Sequence, residues 1–384
     1  MKKLLVLGAS AGVMLAAAPA MAQIDVTVGG HTKNYIGWMD QDTAVNQDAR
    51  NFDMIRESEL HFNAEGTADN GLTYGFHVEM EVDGGDSGTT LEESYLYLSS
   101  NMGRINAGSE DGAAYLLQVA APSADSNIDG IRQYINPVNY TTAIVGAGSS
   151  AVTAANNAVR AAAVNGTTFD GFDYDNDQTG FSEKLTYLSP VWSGFQFGAS
   201  YTPDITNDNG SSTGLAGFNA DNATAANNFK DAWEGAARYE GTFNNVGFAL
   251  GGGYTHVDND TTTVASDDLK EWNVGADFDI GAFGIGAVYT TNNGAVDTNG
   301  DSDTWVVGVD YTTGPFQLGA SYFNNNTETG AASDVDTDRY TGGVIYTAAP
   351  GLSFRGSVSH IKHDATGQAD QDATSVLGGV QLNF

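Results

Sequence analysis

Oxygen-bearing side chains alternate at calcium-ligand spacing in three places: Asp173, Asp175 and Asp177; Asp297, Asn299 and Asp301; and Asp334, Asp336 and Asp338. Oxygen ligands at this spacing can wrap a calcium ion. The first run departs from the helix–loop–helix calcium pattern, because Gln178 stands where the turn needs Gly and Lys184 where a bidentate Glu is needed. A solvated acidic loop is the simpler reading, with loop-bound calcium as the alternative and no other cofactor implied. The six histidines (His31, His61, His77, His256, His360 and His363) form no close pair in sequence apart from His360 and His363. Covalent hydrolysis needs a nucleophile held beside a base, and the sequence has no nucleophile elbow, Gly-rich phosphate loop or paired-His helix. Catalysis is therefore not expected. Cysteine is absent, which removes disulfides, thiolate zinc sites and thiol nucleophiles together.

The charge balance narrows the partners. Fifteen Lys and Arg stand against 48 Asp and Glu, so the clustered cations that bind a phosphate backbone are missing and nucleic acid is not a partner. The chain opens with Lys2 and Lys3, an apolar stretch from Leu4 to Ala18, and Ala20-Met21-Ala22. That order predicts a secretory signal peptide over residues 1–22, cleaved before Gln23. Beyond it no apolar run reaches the ~18 residues of a membrane-crossing helix, and residues 23–384 read as one domain.

That domain must be built of strands. Leu72, Tyr74, Phe76, Val78 and Met80 alternate with Thr73, Gly75, His77, Glu79 and Glu81, the period-2 pattern of a strand with one apolar face. Sixteen such segments follow one another, from Ile24–Asp40 to Thr374–Phe384. Their connections alternate between short turns, such as Asn244-Asn245 and Pro350-Gly351, and long acidic loops, such as Asp258–Asp268 and Asn324–Thr337. Seven short and eight long connections imply sixteen antiparallel strands with both termini on the short-turn side. This predicts an all-β, 16-stranded antiparallel transmembrane barrel with short periplasmic turns and long outer loops.

Internal repeats add a lengthwise order. Phe195–Tyr201 (FQFGASY), Phe283–Tyr289 (FGIGAVY) and Phe316–Tyr322 (FQLGASY) each begin and end their apolar face with an aromatic. Two aromatic girdles around an apolar band have this form. Trp38, Trp233, Trp272 and Trp305 share the apolar parity at the long-loop ends of their strands, which suits a membrane interface. One loop stands out: Glu110–Gly180 has no sustained alternation, and a loop of that length is usually functional or disordered. We expect this third loop, residues 110–180, to fold inward and narrow the lumen, with short helices in Ala113–Ala121 and Ser150–Ala163, the latter capped by Ser149 or Ser150.

Four stretches carry a family likeness: Ser58–Phe76 (SELHFNAEGTADNGLTYGF), Gly103–Gly108 (GRINAG), Leu185–Tyr201 (LTYLSPVWSGFQFGASY) and the alternating end at Val380–Phe384. By these and by its strand pattern the chain resembles the general diffusion porins of Gram-negative bacteria, most closely the alphaproteobacterial ones. The resemblance implies a homotrimer in the outer membrane, in contact with lipid and lipopolysaccharide, passing ions and small hydrophilic solutes. It implies that Phe384 ends the barrel-closing strand and is read by the outer-membrane assembly machinery. It also implies a transverse field at the constriction. The parity of Lys33, Lys184, Arg238, Arg339 and Arg355 turns them toward the lumen, and the family role falls first on the three arginines, opposed by Asp111, Asp125 and Asp129. The loop-tip Pro-Glu-Phe-Gly-Gly signature of enteric members is missing.

Inward acids outnumber the cations. Glu57, Glu59, Glu79, Glu81, Glu234, Glu240, Asp277 and Asp310 share the lumenal parity, and rings of charge set the sign of a pore's selectivity. A mildly cation-selective channel is expected, with a solute-specific channel or an outer-membrane binding or adhesion barrel as alternatives. Most aromatics take the outward parity, Tyr35 and Phe323 being exceptions, which disfavours an aromatic sugar path. Arg56, on the lipid-facing parity, points to a subunit interface or a rim position.

Overall fold

A computed structural model describes residues 24–42, 51–82, 90–125, 174–205, 229–260, 267–295, 300–330, 333–367 and 370–384. The signal segment 1–22, the helix expected at Ser150–Ala163, and Asp129, Asp173, Asp297 and Asn299 lie outside them. Sixteen strands follow in chain order: β1 (Asp25–Gln41), β2 (Phe52–Thr67), β3 (Thr73–Glu81), β4 (Thr90–Ser100), β5 (Gly103–Ser109), β6 (Glu183–Leu188), β7 (Phe195–Thr202) and β8 (Phe229–Phe243). The second half holds β9 (Val246–Asn259), β10 (Leu269–Ile280), β11 (Phe283–Asn292), β12 (Ser302–Thr313), β13 (Phe316–Gly330), β14 (Ser333–Ala349), β15 (Leu352–Ala365) and β16 (Gln371–Asn383).

Each strand pairs antiparallel with its neighbours in sequence, and β1 pairs with β16, so the sheet closes on itself. Closure leaves no edge, which is what a sheet surrounded by hydrocarbon requires. At the seam Gly30 and Phe384 exchange two backbone hydrogen bonds of 3.0 Å. The short turns follow their residues: Asn244 and Asn245 both take positive φ, 47° and 66°, as a type I′ hairpin turn demands.

Burial is inverted relative to a water-soluble protein. On β12, Trp305, Val307 and Val309 are exposed, while Thr304 and Asp310 on the other face are buried. The same exposed apolar face recurs on β11 and β13, at Phe283, Ile285, Phe316 and Leu318. A continuous exposed apolar band marks a surface that meets something other than water. None of the described helices is long and apolar enough to cross a membrane; the strands do so.

Several strands run further outward than their alternation indicates. β13 and β14 continue to Gly330 and Ser333, so most of the expected loop Asn324–Thr337 is hairpin, and Asp334, Asp336 and Asp338 lie on β14. Beyond the bilayer both faces meet water, so no apolar period reveals the strand. The third loop begins inside the barrel. Its helix is one turn, α1 (Ala113–Leu116), rather than the Ala113–Ala121 expected from composition. Gly112 provides no side-chain cap, and from Leu117 to Asp125 the chain runs along the inner wall without regular secondary structure.

Candidate functional site

The wall of β7–β14 accepts the loop through glycines. Inward-facing Gly198, Gly251, Gly253, Gly275, Gly286, Gly308, Gly319 and Gly343 form a track beneath residues 113–125. A methyl group at Gly253 would lie 3.1 Å from Ala114, one at Gly286 2.8 Å from Pro122, and one at Gly319 2.6 Å from the Ala124 nitrogen. At Gly308 and Gly343 it would overlap the Pro122 and Ala124 carbonyls outright. Wall glycines thus let one backbone lie on another, a recognised use of strand glycine. Three of them, Gly198, Gly286 and Gly319, are the fourth residues of the internal repeats.

Polar groups then fix both limbs of the loop. On the outgoing limb, Ala113 N donates to Ser200 Oγ at 2.8 Å, and Arg238 Nη1 donates to the Gln118 carbonyl at 2.7 Å. The return limb, Tyr174–Thr179, lies against the outgoing one: Gln118 Nε2 donates to Asp175 Oδ1 at 2.5 Å, and Asn176 N donates to Gln118 Oε1 at 2.8 Å. Gln178 Nε2 and Thr179 Oγ1 donate to Glu271 and Glu234 on the wall, at 2.6 and 3.1 Å. Asp175 is therefore a buried anchor of this limb, and Asp177 is buried beside it, so neither belongs to a solvated acidic loop. Ala121 and Tyr174 also pack with inward Val288, Val306, Phe323 and Ile361, an apolar patch inside the barrel.

The predicted charges separate into groups. Asp125 lies within the electrostatic reach of Arg339 and Arg355; these three are brought together. Burial pushes the Asp125 carboxyl up to about 6, against the pull of Arg339, a hydrogen bond from Ser123 and the pull of Arg355. Arg339 is buried, its Nε donating to Ser359 Oγ at 3.0 Å. Arg238 sits under the loop and pairs with Glu240 at 2.7 Å. Lys33 pairs with Glu57 at 2.6 Å on the opposite side of the barrel. Lys184 is a strut at the loop's root: its Nζ donates to the carbonyls of Glu110, of Gly180 at 2.6 Å and of Ser182 at 2.9 Å. Asp111 lies within the electrostatic reach of Lys184, and its N–H donates to Glu93 Oε1 at 3.3 Å. Beside it, burial raises the Glu110 carboxyl to about 7, with Asn106 and Lys184 opposing.

The glycine contacts of residues 113–125 run on β7–β14, and the Ala121 patch extends to Ile361 and Ala373 on β15 and β16; the glycines of the remaining wall, β1–β5, make no such contact with these residues. In a ring of sixteen, β2 and β3 face β10 and β11 across the lumen. On this open wall Glu57, Glu59, His61, His77, Glu79 and Glu93 crowd together with His31. The absence of close histidine pairs in sequence is thus misleading: His31, His61 and His77 stand on adjacent strands with ring centroids 6.3 and 5.8 Å apart. Conversely His360 and His363 are not brought together, because three residues along a strand puts them on opposite faces. His360 meets Thr374 and His363 meets Thr337.

Two acids and one cation that belong here are absent from the sequence-based set. A bulge opposite Glu79 and Met80 leaves Glu92 outside the ladder pairing, and bulges re-aim side chains; the Glu92 carboxylate lies within 4.8 Å of those of Glu59 and Glu79. Glu93 has the lumenal parity in a strand whose alternation is short. Arg104, on β5, lies 4.0 Å from the Tyr97 ring centroid and donates to Asn106 at 2.6 Å; its parity with Asn106 is the signal that could have found it.

On the outer face Trp38, Trp233, Trp272 and Trp305 are all exposed at the long-loop end. Trp233 packs on Tyr201 and Trp305 on Tyr289, with centroids 4.3 and 4.4 Å apart. The closing tyrosine of each repeat donates to an Asp on the next strand: Tyr201 to Asp231 and Tyr289 to Asp303, both at 2.5 Å, and Tyr322 to Asp338 at 2.6 Å.

Comparison with known proteins agrees with this architecture. The barrel is similar to an anion-selective porin from Comamonas acidovorans, 16% identical with a TM-score of 0.62, over 94% of this chain and 100% of that one. It is similar to a loop-deletion form of OmpT, an outer membrane protein of Vibrio cholerae, 18% identical with a TM-score of 0.56, over 94% and 99%. A mutant of the Rh. blastica porin gives 17% and 0.54, over 94% and 100%. In sequence, uncharacterized proteins of Rickettsia conorii and Rickettsia prowazekii are 24% and 28% identical, over 52% and 32% of this chain and 53% and 37% of theirs. The chain spans about half or less of the length of these curated relatives. The description Gram-negative porin fits residues 9–366, nearly the whole sequence, and with the closed sixteen-strand barrel it places the chain in the Gram-negative porin family of the outer membrane.

Proposed function

We propose that this porin is a general diffusion channel, passing ions and small hydrophilic solutes without a dedicated substrate site and with a mild preference for cations. The observation that carries the reading is the composition of the open wall. There Glu57, Glu59, Glu79, Glu92 and Glu93 face the lumen, while the nearest lysine, Lys33, is already paired with Glu57. Elsewhere Lys184 is bound to carbonyl oxygens and Arg238 to Glu240. Cation attraction is therefore less opposed than the count of inward arginines suggests. The Comamonas porin's anion selectivity is a property of that protein, whose likeness to this one is of fold.

The test is the reversal potential of single channels under a potassium chloride gradient in a planar bilayer. We expect the sign that favours potassium; the sign that favours chloride would overturn the preference. The same recording addresses a solute-specific channel, since candidate sugars should leave the current uninterrupted. Family and fold speak for a channel rather than an enzyme.

We further read the chain as a homotrimer. The outward faces of β1 and β2 carry a polar patch unlike the apolar band: Thr32 and Ser58 hydroxyls hydrogen-bond at 2.8 Å, Asn34 Nδ2 donates to Thr32 Oγ1 at 3.1 Å, and Arg56 is the register partner of Asn34. Polar and charged groups on a lipid face are costly, and a neighbouring subunit would cover them. Lipopolysaccharide and the assembly machinery are partners of the same reading.

A further inference from the structure

We propose that the open wall holds a binding site for one divalent transition-metal ion of the zinc type, built by His31, Glu59, His61, Glu79 and His77. These five side chains form a ladder across β1, β2 and β3, two histidines flanking each carboxylate. Glu59 Oε2 lies 3.5 Å from His31 Nδ1 and 3.3 Å from His61 Nε2. Glu79 Oε2 lies 3.2 Å from His61 Nδ1 and 3.6 Å from His77 Nε2. Within each triplet the ligand atoms all lie within 4.8 Å of one another. Tetrahedral zinc, with bonds of about 2.0–2.1 Å to nitrogen and oxygen, has ligands roughly 3.3–3.4 Å apart. The four distances bracket that value.

The outer histidines are already turned for ligation. His31 Nε2 donates to Glu57, which Lys33 holds in place at 2.6 Å. His77 Nδ1 donates to Asn63 Oδ1 at 2.7 Å. A neutral imidazole has one N–H, so these bonds leave lone pairs on His31 Nδ1 and His77 Nε2. Both positions face carboxylate oxygens, an arrangement that needs either a second ring proton or a metal cation between. Hydrogen-bonding the far nitrogen of each ligand histidine is the usual way of orienting it toward a metal.

Two imidazoles and one carboxylate suit zinc, copper or nickel; calcium and magnesium favour all-oxygen shells. Water from the lumen completes the fourth position. His61 belongs to both triplets, through Nε2 in one and Nδ1 in the other. As a neutral ring it can ligate through only one nitrogen at a time, the other donating its N–H to the second carboxylate. The two positions therefore exclude each other, and the stoichiometry is one ion per chain.

Equilibrium dialysis of the full-length barrel in detergent against micromolar zinc chloride, read by elemental analysis, tests this. Wild type should retain one zinc per chain. His31→Gln should still retain one, through His61, Glu79 and His77, and His77→Gln should still retain one, through His31, Glu59 and His61. His61→Gln and the double variant His31→Gln/His77→Gln should bind at least ten-fold more weakly, with calcium unable to compete in any of them. His360→Gln, outside the ladder, should match wild type, and heat-dependent gel migration confirms that each barrel is folded. No zinc on the wild type, two ions per chain, or unchanged binding in His61→Gln would each overturn the site. Dialysis reads ions bound rather than ions passed, so a barrel that binds zinc yet conducts nothing would end the channel reading and leave this one standing.

Discussion

At the scale of single residues, parity located the inward charges but said nothing of what each is tied to. Lys184 and Arg339 face inward as expected, yet both are buried, and among the described residues members of the two predicted sides meet in two places, Asp125 with Arg339 and Arg355 and Asp111 with Lys184. Sequence gives a side chain's face; its partner depends on the path of a loop that has no period to read. Asp125 has a measurable consequence. Its carboxyl titrates at about 6 in the folded chain against an ordinary 3.8, so loop docking is fully supported below the ordinary value and weakens as pH rises through 6. The difference amounts to roughly 3 kcal/mol. Hydrogen exchange over residues 113–124, corrected for intrinsic rates, should show less protection at pH 7.5 than at pH 5. Asp125→Asn should hold the pH 5 level at both; the reverse trend in wild type would refute the assignment.

Among the elements, strand existence was fully legible, because every strand has one face in hydrocarbon and a period-2 apolar signal follows. Strand ends were less so where water bathes both faces, as on β13 and β14. The glycine track was in plain view as the repeated Gly of FQFGASY, FGIGAVY and FQLGASY, but its purpose was not, since a strand's own sequence does not say what crosses it. Adding a methyl at Gly308 forces the Pro122 carbonyl away, and over-packing of this kind costs about 1–3 kcal/mol. Gly308→Ala should therefore lower single-channel conductance by pushing the loop inward, and should raise cleavage within the loop by added protease. Gly342→Ala, whose methyl meets nothing within 4 Å, should leave both unchanged. Equal behaviour of the two variants would contradict the packing described.

For the molecule as a whole, the alternation of short and long connections was enough to read sixteen strands, and closure of β1 on β16 follows from the need to leave no edge in lipid. The assembly is less legible, since the evidence for it is one departure from the apolar parity. A cation on the lipid face of a barrel costs about 2–4 kcal/mol at the bilayer midplane, which a subunit contact at Arg56 would avoid. Arg56→Glu should convert a heat-sensitive oligomer to monomer at a lower temperature on semi-native gels, while the monomer keeps its folded-barrel mobility. An oligomer of unchanged heat resistance would place Arg56 outside the contact. The division of the interior has a longer reach. Because the loop is moored to β7–β14 and the crowded lumenal carboxylates stand on β2–β4, the parts that make the barrel fold and the parts that choose its traffic are on different banks. Descendants of this chain could exchange one set of charges for another, and so change diet, without loosening the mooring.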